Sequence, residues 1–363
     1  MPTPPRRVAF CWANLSGYMA ACWRELASRS DVELLVTAFA SADADAPFAD
    51  EELSRGFRCV PHASSARDAG ERLRSVLSEF RPDVVAVSGW IDPHYRALAA
   101  ERFGGARYLM SIDTPADGSL RQRLGRFRYP SYFRSLDGAV VTGERSFQLA
   151  RVLGVREDRI RRGLYGIDFD RLSGAHESRL GRAEGWPRRF LSVGRADHVK
   201  GIDVLLEAYG RYRERAPGEP WPLTYCGTGP LSDRVSSAPG VDYRGFVQPA
   251  DLPAIQAESG AFVLASRFDP WPLVISESCA AGLPVVCTTS CGSAVELVRE
   301  YYNGITVAPD RAEDLARALL WVHEHHDRLP GMGARGRDLA RAYGASAWAD
   351  RWTAWVEELT ARA

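Results

Sequence analysis

Short apolar or β-branched runs alternate with longer amphipathic stretches along almost the whole chain, and they do so in two series. In the first half, Val8–Trp12, Glu33–Thr37, Val84–Ser88, Tyr108–Ile112 and Ala139–Thr142 read as strands, with helical patterns at Tyr18–Ala27, Ala66–Phe80 and Arg145–Leu153. In the second, Phe190–Val193, Leu223–Cys226, Val241–Tyr243, Phe262–Leu264, Val285–Cys287 and Ile305–Val307 read as strands, with helices at Ile202–Arg215, Leu252–Glu258, Leu273–Ala281 and Ala312–His325. Strands that run the same way need long crossover connections, so this alternation specifies parallel sheets covered by helices. Two such series predict an α/β chain of two Rossmann-like, doubly wound domains facing a cleft at the C-terminal ends of their strands. The expected boundaries are 1–167 for the first domain, 168–188 for a linker containing Gly174, Gly181, Gly185 and Pro187, 189–345 for the second domain and 346–363 for a C-terminal helix. In that helix Trp348, Trp352 and Trp355 share one face. Packing back onto the first domain is the expectation, and an aromatic ligand platform the alternative.

Composition narrows the classes. The chain has 363 residues, 45% of them hydrophobic and 25% charged, which is enough for two ordinary cores. Its 46 basic and 46 acidic side chains cancel, which argues against a dedicated nucleic-acid binder. No apolar run is long enough to span a bilayer, and the segment from Met1 to Arg7 leads into a strand pattern without a signal-peptide core. Seven cysteines without a Cys-x-x-Cys pair read as reduced thiols in a cytoplasmic protein. His323, His325 and His326 close a helical stretch, where they read as solvated, dipole-compensating groups, and no metal site is expected. Of the 46 basic residues, 45 are Arg and one is Lys200. Against that background a single lysine marks either a position where Arg will not serve or an accident of composition.

Three segments carry chemistry. From Phe190 to Gly201 a strand ends at Gly194, and a loop then presents Arg195 and Lys200 before a helix begins. A guanidinium fork and a compact ammonium at one edge suit a diphosphate, and two solvated loop cations are the alternative. Cys226-Gly227-Thr228-Gly229-Pro230 and Gly245-Phe246-Val247 follow later strands and permit tight turns or close approach of a ligand. From Ser266 to Val286 a strand is followed by a loop with Asp269 and then by an apolar helix that opens near Pro272 and carries Glu277. Two carboxylates flank a helix N-terminus there. Its amides suit a phosphate and the acids suit hydroxyls of a sugar and a ribose. Helix cap and surface residue are the bland readings of the two acids.

Taken in order, these pieces resemble the donor domain of family 4 retaining glycosyltransferases of the GT-B fold: Val193-Gly194-Arg195 to Lys200-Gly201, Gly227 to Pro230, Gly245 to Val247, the acid pair, Ala281-Gly282-Leu283-Pro284-Val285-Val286, Glu296-Leu297-Val298 and Asn303-Gly304. The resemblance covers roughly residues 188–328. It implies a nucleotide-diphosphate sugar as co-substrate, with no cofactor and no metal, and a hydroxyl acceptor. Arg195 and Lys200 would hold the diphosphate, Glu277 the ribose, Asp269 the donor sugar, Val247 the base by its backbone, and the amides of Leu273 and Val274 the phosphates. Two departures bear on the donor sugar: Asp269 stands where Glu is usual, and Pro272 where Gly is common, which removes an amide donor. Polysaccharide, glycolipid or natural-product glycosylation is the implied setting. A sugar phosphorylase, a sugar-nucleotide epimerase and a non-catalytic nucleotide-sugar-binding subunit are the alternatives.

The first half matches less closely. Gly17 lies between the first strand and first helix, where its loop would approach phosphates or acceptor. Asp113 follows a strand at a place where many relatives carry histidine; it would orient sugar or acceptor, or simply cap a turn. Arg121, Arg123, Arg126, Arg128 and Arg134 interleave with Phe127, Tyr129, Tyr132 and Phe133. That pattern suits peripheral contact with the inner face of an anionic membrane, or else a solvated helix with its aromatic side chains in the core.

Overall fold

The computed structural model describes residues 4–39, 53–62 and 69–361. Met1 to Thr3 and the start of the expected Ala66–Phe80 helix lie outside them; the described part of that helix is Ala69–Phe80. The chain forms two compact units, divided after Ile167 and again after Gly344.

In the first unit, β1 (Arg6–Asn14), β2 (Val32–Phe39), β3 (Arg58–His62), β4 (Val84–Ser88), β5 (Arg107–Ile112), β6 (Gly138–Val141) and β7 (Ile160–Arg162) form one sheet in the order β3-β2-β1-β4-β5-β6-β7. Every pairing is parallel. The two strands absent from the sequence reading, β3 and β7, are the sheet edges. An edge strand pairs on one side only and does not need the continuous apolar run that flags β4. The Ala345–Ala361 helix belongs to this unit and packs on the Gly17–Ala27 helix. Trp348 and Trp352 are fully buried with Phe10 and Trp23; the Phe10 and Trp352 rings lie 4.7 Å apart, and the Trp348 indole N–H donates to the Leu164 carbonyl at 2.8 Å. The tryptophan face is therefore core and not a ligand platform.

In the second unit, β8 (Phe190–Val193), β9 (Leu223–Cys226), β10 (Val241–Tyr243), β11 (Ala261–Leu264), β12 (Val285–Thr288) and β13 (Gly304–Val307) run parallel in the order β10-β9-β8-β11-β12-β13. Its main core gathers Phe190, Tyr212, Trp221 and Tyr225 with Leu315 and Leu319 of the Ala312–Glu324 helix.

Two expectations are corrected here. Residues 168–188 are not a linker: Asp168 caps a helix, Phe169–Leu180, that packs inside the second unit. The segment is polar because its polar groups have internal partners, above all Arg179, which is 1% exposed and hydrogen-bonded to four backbone carbonyls. Nor is His323 a solvated group. Its ring stacks on Trp221 with centroids 5.2 Å apart, and its Nδ1 lies 2.7 Å from the Tyr212 hydroxyl.

Candidate active site

Both sheets reverse their winding beside their first strand, β1 against β4 and β8 against β11. At such a switch the crossover helices depart to opposite faces, so the loops leaving the two strands part and leave a crevice at the strand ends. In the second unit, the loop leaving β8 carries Arg195 and Lys200 and the loop leaving β11 carries Asp269. The three candidate side chains Arg195, Lys200 and Asp269 are thus set at one crevice by topology before any contact is considered.

Close backbone packing fixes these loops. Gly227 has φ +140°, and a Cβ there would stand 1.9 Å from the Gly194 carbonyl oxygen, so the turn after β9 rests directly on the turn after β8. The Gly227 amide donates to the Gly245 carbonyl at 2.6 Å, which anchors the half-buried Val247 segment beside it. At Gly201, φ is +65° and a Cβ would meet the Ala265 carbonyl at 2.1 Å. Lys200 therefore enters its helix pressed against the end of β11. The two loops of the switch are locked to each other, and neither glycine position tolerates a side chain.

The result is a direct contact between the two predicted roles. Lys200 Nζ donates to Asp269 Oδ2 at 2.5 Å, and the Lys200 backbone amide donates to Asp197 Oδ1 at 2.8 Å. Asp269 is 7% exposed, and its own carbonyl accepts from the Gly292 amide at 2.9 Å. Arg195 is more open, with Nε 3.7 Å from Asp197 Oδ2. Pro272 caps the Leu273–Ala280 helix without a side-chain bond, and the first amide to bond back to it is Ile275. The amides of Leu273 and Val274 precede that bond and form the positive end of the helix dipole.

Glu277 lies on the second turn of this helix and is half-buried. Burial pushes its carboxyl up to about 7 from an ordinary 4.5, with Arg171 pulling the other way. A carboxyl raised by burial favours the folded state below its unfolded pKa and loses that contribution as pH rises through the folded value. Glu277→Gln is accordingly expected to raise stability above pH 7 by roughly 3 kcal/mol, the energy equivalent of the shift. It should also flatten the stability profile between pH 5 and pH 8. Thermal melts of both proteins across that range check the sign; a variant less stable than wild type at pH 8 would contradict it. A group held at such a cost to folding is expected where a ligand uses it.

Gly17 and Asp113 belong to the first unit, after β1 and β5 respectively. They are linked there through Tyr165, which the sequence reading did not single out as a site residue. Its hydroxyl donates to Asp113 Oδ2 at 2.9 Å, and its ring stands edge-on to Tyr18, the residue after Gly17, at 5.4 Å. Burial raises the Tyr165 hydroxyl well above its usual range, so it remains a donor to the Asp113 carboxylate. No motif in the sequence marks Tyr165, whose role depends on a partner 52 positions away.

Residues 187–325 match the family model described as "Glycosyl transferases group 1". This part of the chain is similar to group 1 glycosyltransferase domains. It contains Arg195, Lys200, Gly227, Val247, Asp269, Leu273, Val274 and Glu277. Among curated relatives, the D-rhamnosyltransferase WbpZ of Pseudomonas aeruginosa is 27% identical over 64% of this chain and 64% of its own. The glycogen synthase of Mycobacterium tuberculosis is 28% identical over 69% of this chain and 63% of its own. The chain thus spans about three-fifths of the length of these glycosyltransferase relatives. In architecture it resembles Anabaena HepE, solved in complex with UDP and glucose, with a TM-score of 0.75 at 16% identity over 97% of this chain and 100% of that one. Two parallel α/β units in one chain are the GT-B architecture.

Proposed function

We propose that the protein transfers a sugar from a nucleoside-diphosphate sugar to an acceptor hydroxyl, with retention at the anomeric carbon. One observation carries this reading: the lone lysine is paired with Asp269 at the topological switch of a domain similar to group 1 glycosyltransferases, beside an uncapped helix N-terminus. Loss of the diphosphate is the difficult step. Arg195, Lys200 and the Leu273 and Val274 amides neutralise the charge that grows on it. The bond from the anomeric carbon to the phosphate oxygen breaks as the bond to the acceptor oxygen forms on the same face, and the acceptor proton passes to the departing phosphate. No metal and no cofactor enters this scheme. Asp269 orients the donor sugar, and Glu277 holds the ribose. In the first unit Asp113, held by Tyr165, and the Gly17 turn serve the sugar or acceptor side.

The test begins with thermal shift against a panel of nucleoside diphosphates and their sugars, because a ligand that binds the folded state raises its melting temperature. Selective stabilisation by one base is expected, followed by slow release of that nucleoside diphosphate from its sugar. Asp269→Asn should keep nucleoside diphosphate affinity within about threefold while lowering donor turnover on the order of tenfold or more. Equal loss of both would reject that division of roles. Conversion of the donor without nucleoside diphosphate release would identify an epimerase, and binding without turnover a non-catalytic subunit. The anomeric configuration of the product, read by NMR, decides retention.

A further inference from the structure

The Leu120–Arg128 helix of the first unit is amphipathic in the reverse sense. A surface helix normally turns its apolar stripe to the core. Here Leu120, Leu124 and Phe127, spaced four and three apart and so on one face, are 71%, 58% and 63% exposed. The helix buries none of its residues. Its opposite face is the one that meets the protein. Gln122 Nε2 donates to the Pro115 carbonyl at 2.9 Å, and Gly125 lies where a Cβ would touch Leu153 at 3.3 Å. Ile91, on the turn after β4, is also 89% exposed. That turn is tied to the same region by the Tyr132 hydroxyl, which donates to the Gly89 carbonyl at 2.6 Å, and by Trp90 packed near Phe133.

Charge identifies the occupant. On the helical wheel Arg123 flanks the apolar stripe on one side, and Arg121 and Arg128 on the other. From Gly118 to Arg134 there are five arginines and no acid, in a chain whose formal net charge is zero. Among the described residues none of the five forms an ion pair, whereas Arg29, Arg74, Arg161 and Arg267 each do. The aromatic neighbours are accounted for differently. Tyr132 is buried, while Tyr129 lies under the Arg96 guanidinium at 4.2 Å. The interleaving in the sequence therefore splits into a core-facing aromatic set and an outward set of Leu120, Leu124, Phe127 and arginines.

We propose that this face docks on an anionic lipid bilayer, with Leu120, Leu124 and Phe127 in the headgroup–acyl boundary and Arg121, Arg123 and Arg128 on the phosphates. Apolar area and attraction to anionic headgroups both contribute to binding by such a helix. The proposal concerns the first unit alone and stands whether or not the transfer reaction is as written above.

Co-sedimentation of the full chain with phosphatidylglycerol–phosphatidylcholine vesicles, against pure phosphatidylcholine, is the test. Binding is expected to the anionic vesicles only and to be released by high salt. Leu124→Ser with Phe127→Ser should weaken it by on the order of tenfold or more, from the apolar area lost. Replacing Arg121, Arg123 and Arg128 by Gln should cost about fivefold for each guanidinium. Every substituted side chain is exposed, and thermal melts of the variants should match wild type. Equal binding to neutral vesicles, no binding to either, or unchanged binding by the serine variant would overturn the proposal. So would sedimentation velocity showing a dimer that the serine variant dissolves, which would assign the face to a second copy of the chain.

Discussion

Lys200→Arg should lower sugar transfer at least tenfold while leaving the melting temperature within a few degrees of wild type, a loss of about 1.4 kcal/mol of transition-state stabilisation. The structure shows how this chain uses each cation. At the neighbouring corner Arg267 grips Asp203 with both ends of its fork, at 2.7 and 2.8 Å, and extends Nε to Asp310 at 2.6 Å. That is the geometry a guanidinium favours, and it consumes the donors of the fork. Lys200 instead meets a single Asp269 oxygen and keeps two N–H groups for another anion. A guanidinium at this position would engage Asp269 in a fork and present a flat edge where an ammonium presents a point. The backbone cannot withdraw to make room, because Gly201 is already pressed on the Ala265 carbonyl. Steady-state transfer, with folding checked by melting, decides the matter. Near-wild-type turnover would show that the single lysine is an accident of composition and would leave the diphosphate to Arg195 and the helix amides.

Lys200→Ala tests the other half of the pair. It leaves the Asp269 carboxylate buried without its cation, a situation that costs roughly 3–5 kcal/mol when both partners are fully enclosed. The Lys200 side chain is 26% exposed, so water relieves part of that cost. The Ala variant should therefore be measurably less stable than the Arg variant as well as slower, and Lys200→Ala with Asp269→Asn should recover stability but not turnover.

The legibility of the sequence followed burial. Both winding series could be read because central strands of a parallel sheet are enclosed on both faces and show as continuous apolar runs, as in β4 and β11. The site loops could be read because Arg195, Lys200, Asp269 and Glu277 occur at strand–loop–helix transitions, where residue type and topology point the same way. What escaped were the groups whose role depends on a distant partner. Tyr165 meets Asp113 across 52 positions, and no local pattern announces that hydrogen bond. His323 had the local pattern of a helix end, yet its half-buried ring stacks on the indole of Trp221. The Lys200–Asp269 contact spans 69 positions, and each residue was assigned alone to a separate part of the ligand.

Arg179 is the clearest of these, and replacing it should have the largest effect on stability of any single change discussed. Its Nε donates to the Ser259 carbonyl at 2.8 Å, one terminal nitrogen to Ala281 at 2.9 Å and Gly282 at 3.3 Å, and the other to Gln256 at 2.5 Å. These carbonyls lie at or just past the C-terminal ends of two helices, Leu252–Ala257 and Leu273–Ala280, where the dipoles are negative and the last carbonyls lack intrahelical donors. One cation thus completes two helix ends, the second of them on the helix that carries Glu277 and opens at Leu273. Burial lowers its pKa to about 9, which still leaves it charged at neutral pH. Arg179→Met fills the volume and removes every donor. Orphaned buried carbonyls cost about 1–3 kcal/mol each, so a loss of at least about 3 kcal/mol is expected after relaxation. For a unit of this size that is a fall of roughly 6–12 °C in melting temperature. Arg179→Lys, which keeps the charge but cannot span four carbonyls, should recover only part of it. Calorimetry on the full chain is the check. If Arg179→Met melted within about 2 °C of wild type, the Asp168–Arg188 segment would be energetically the linker that its polar composition describes, and the four hydrogen bonds would not contribute to the stability of the second unit.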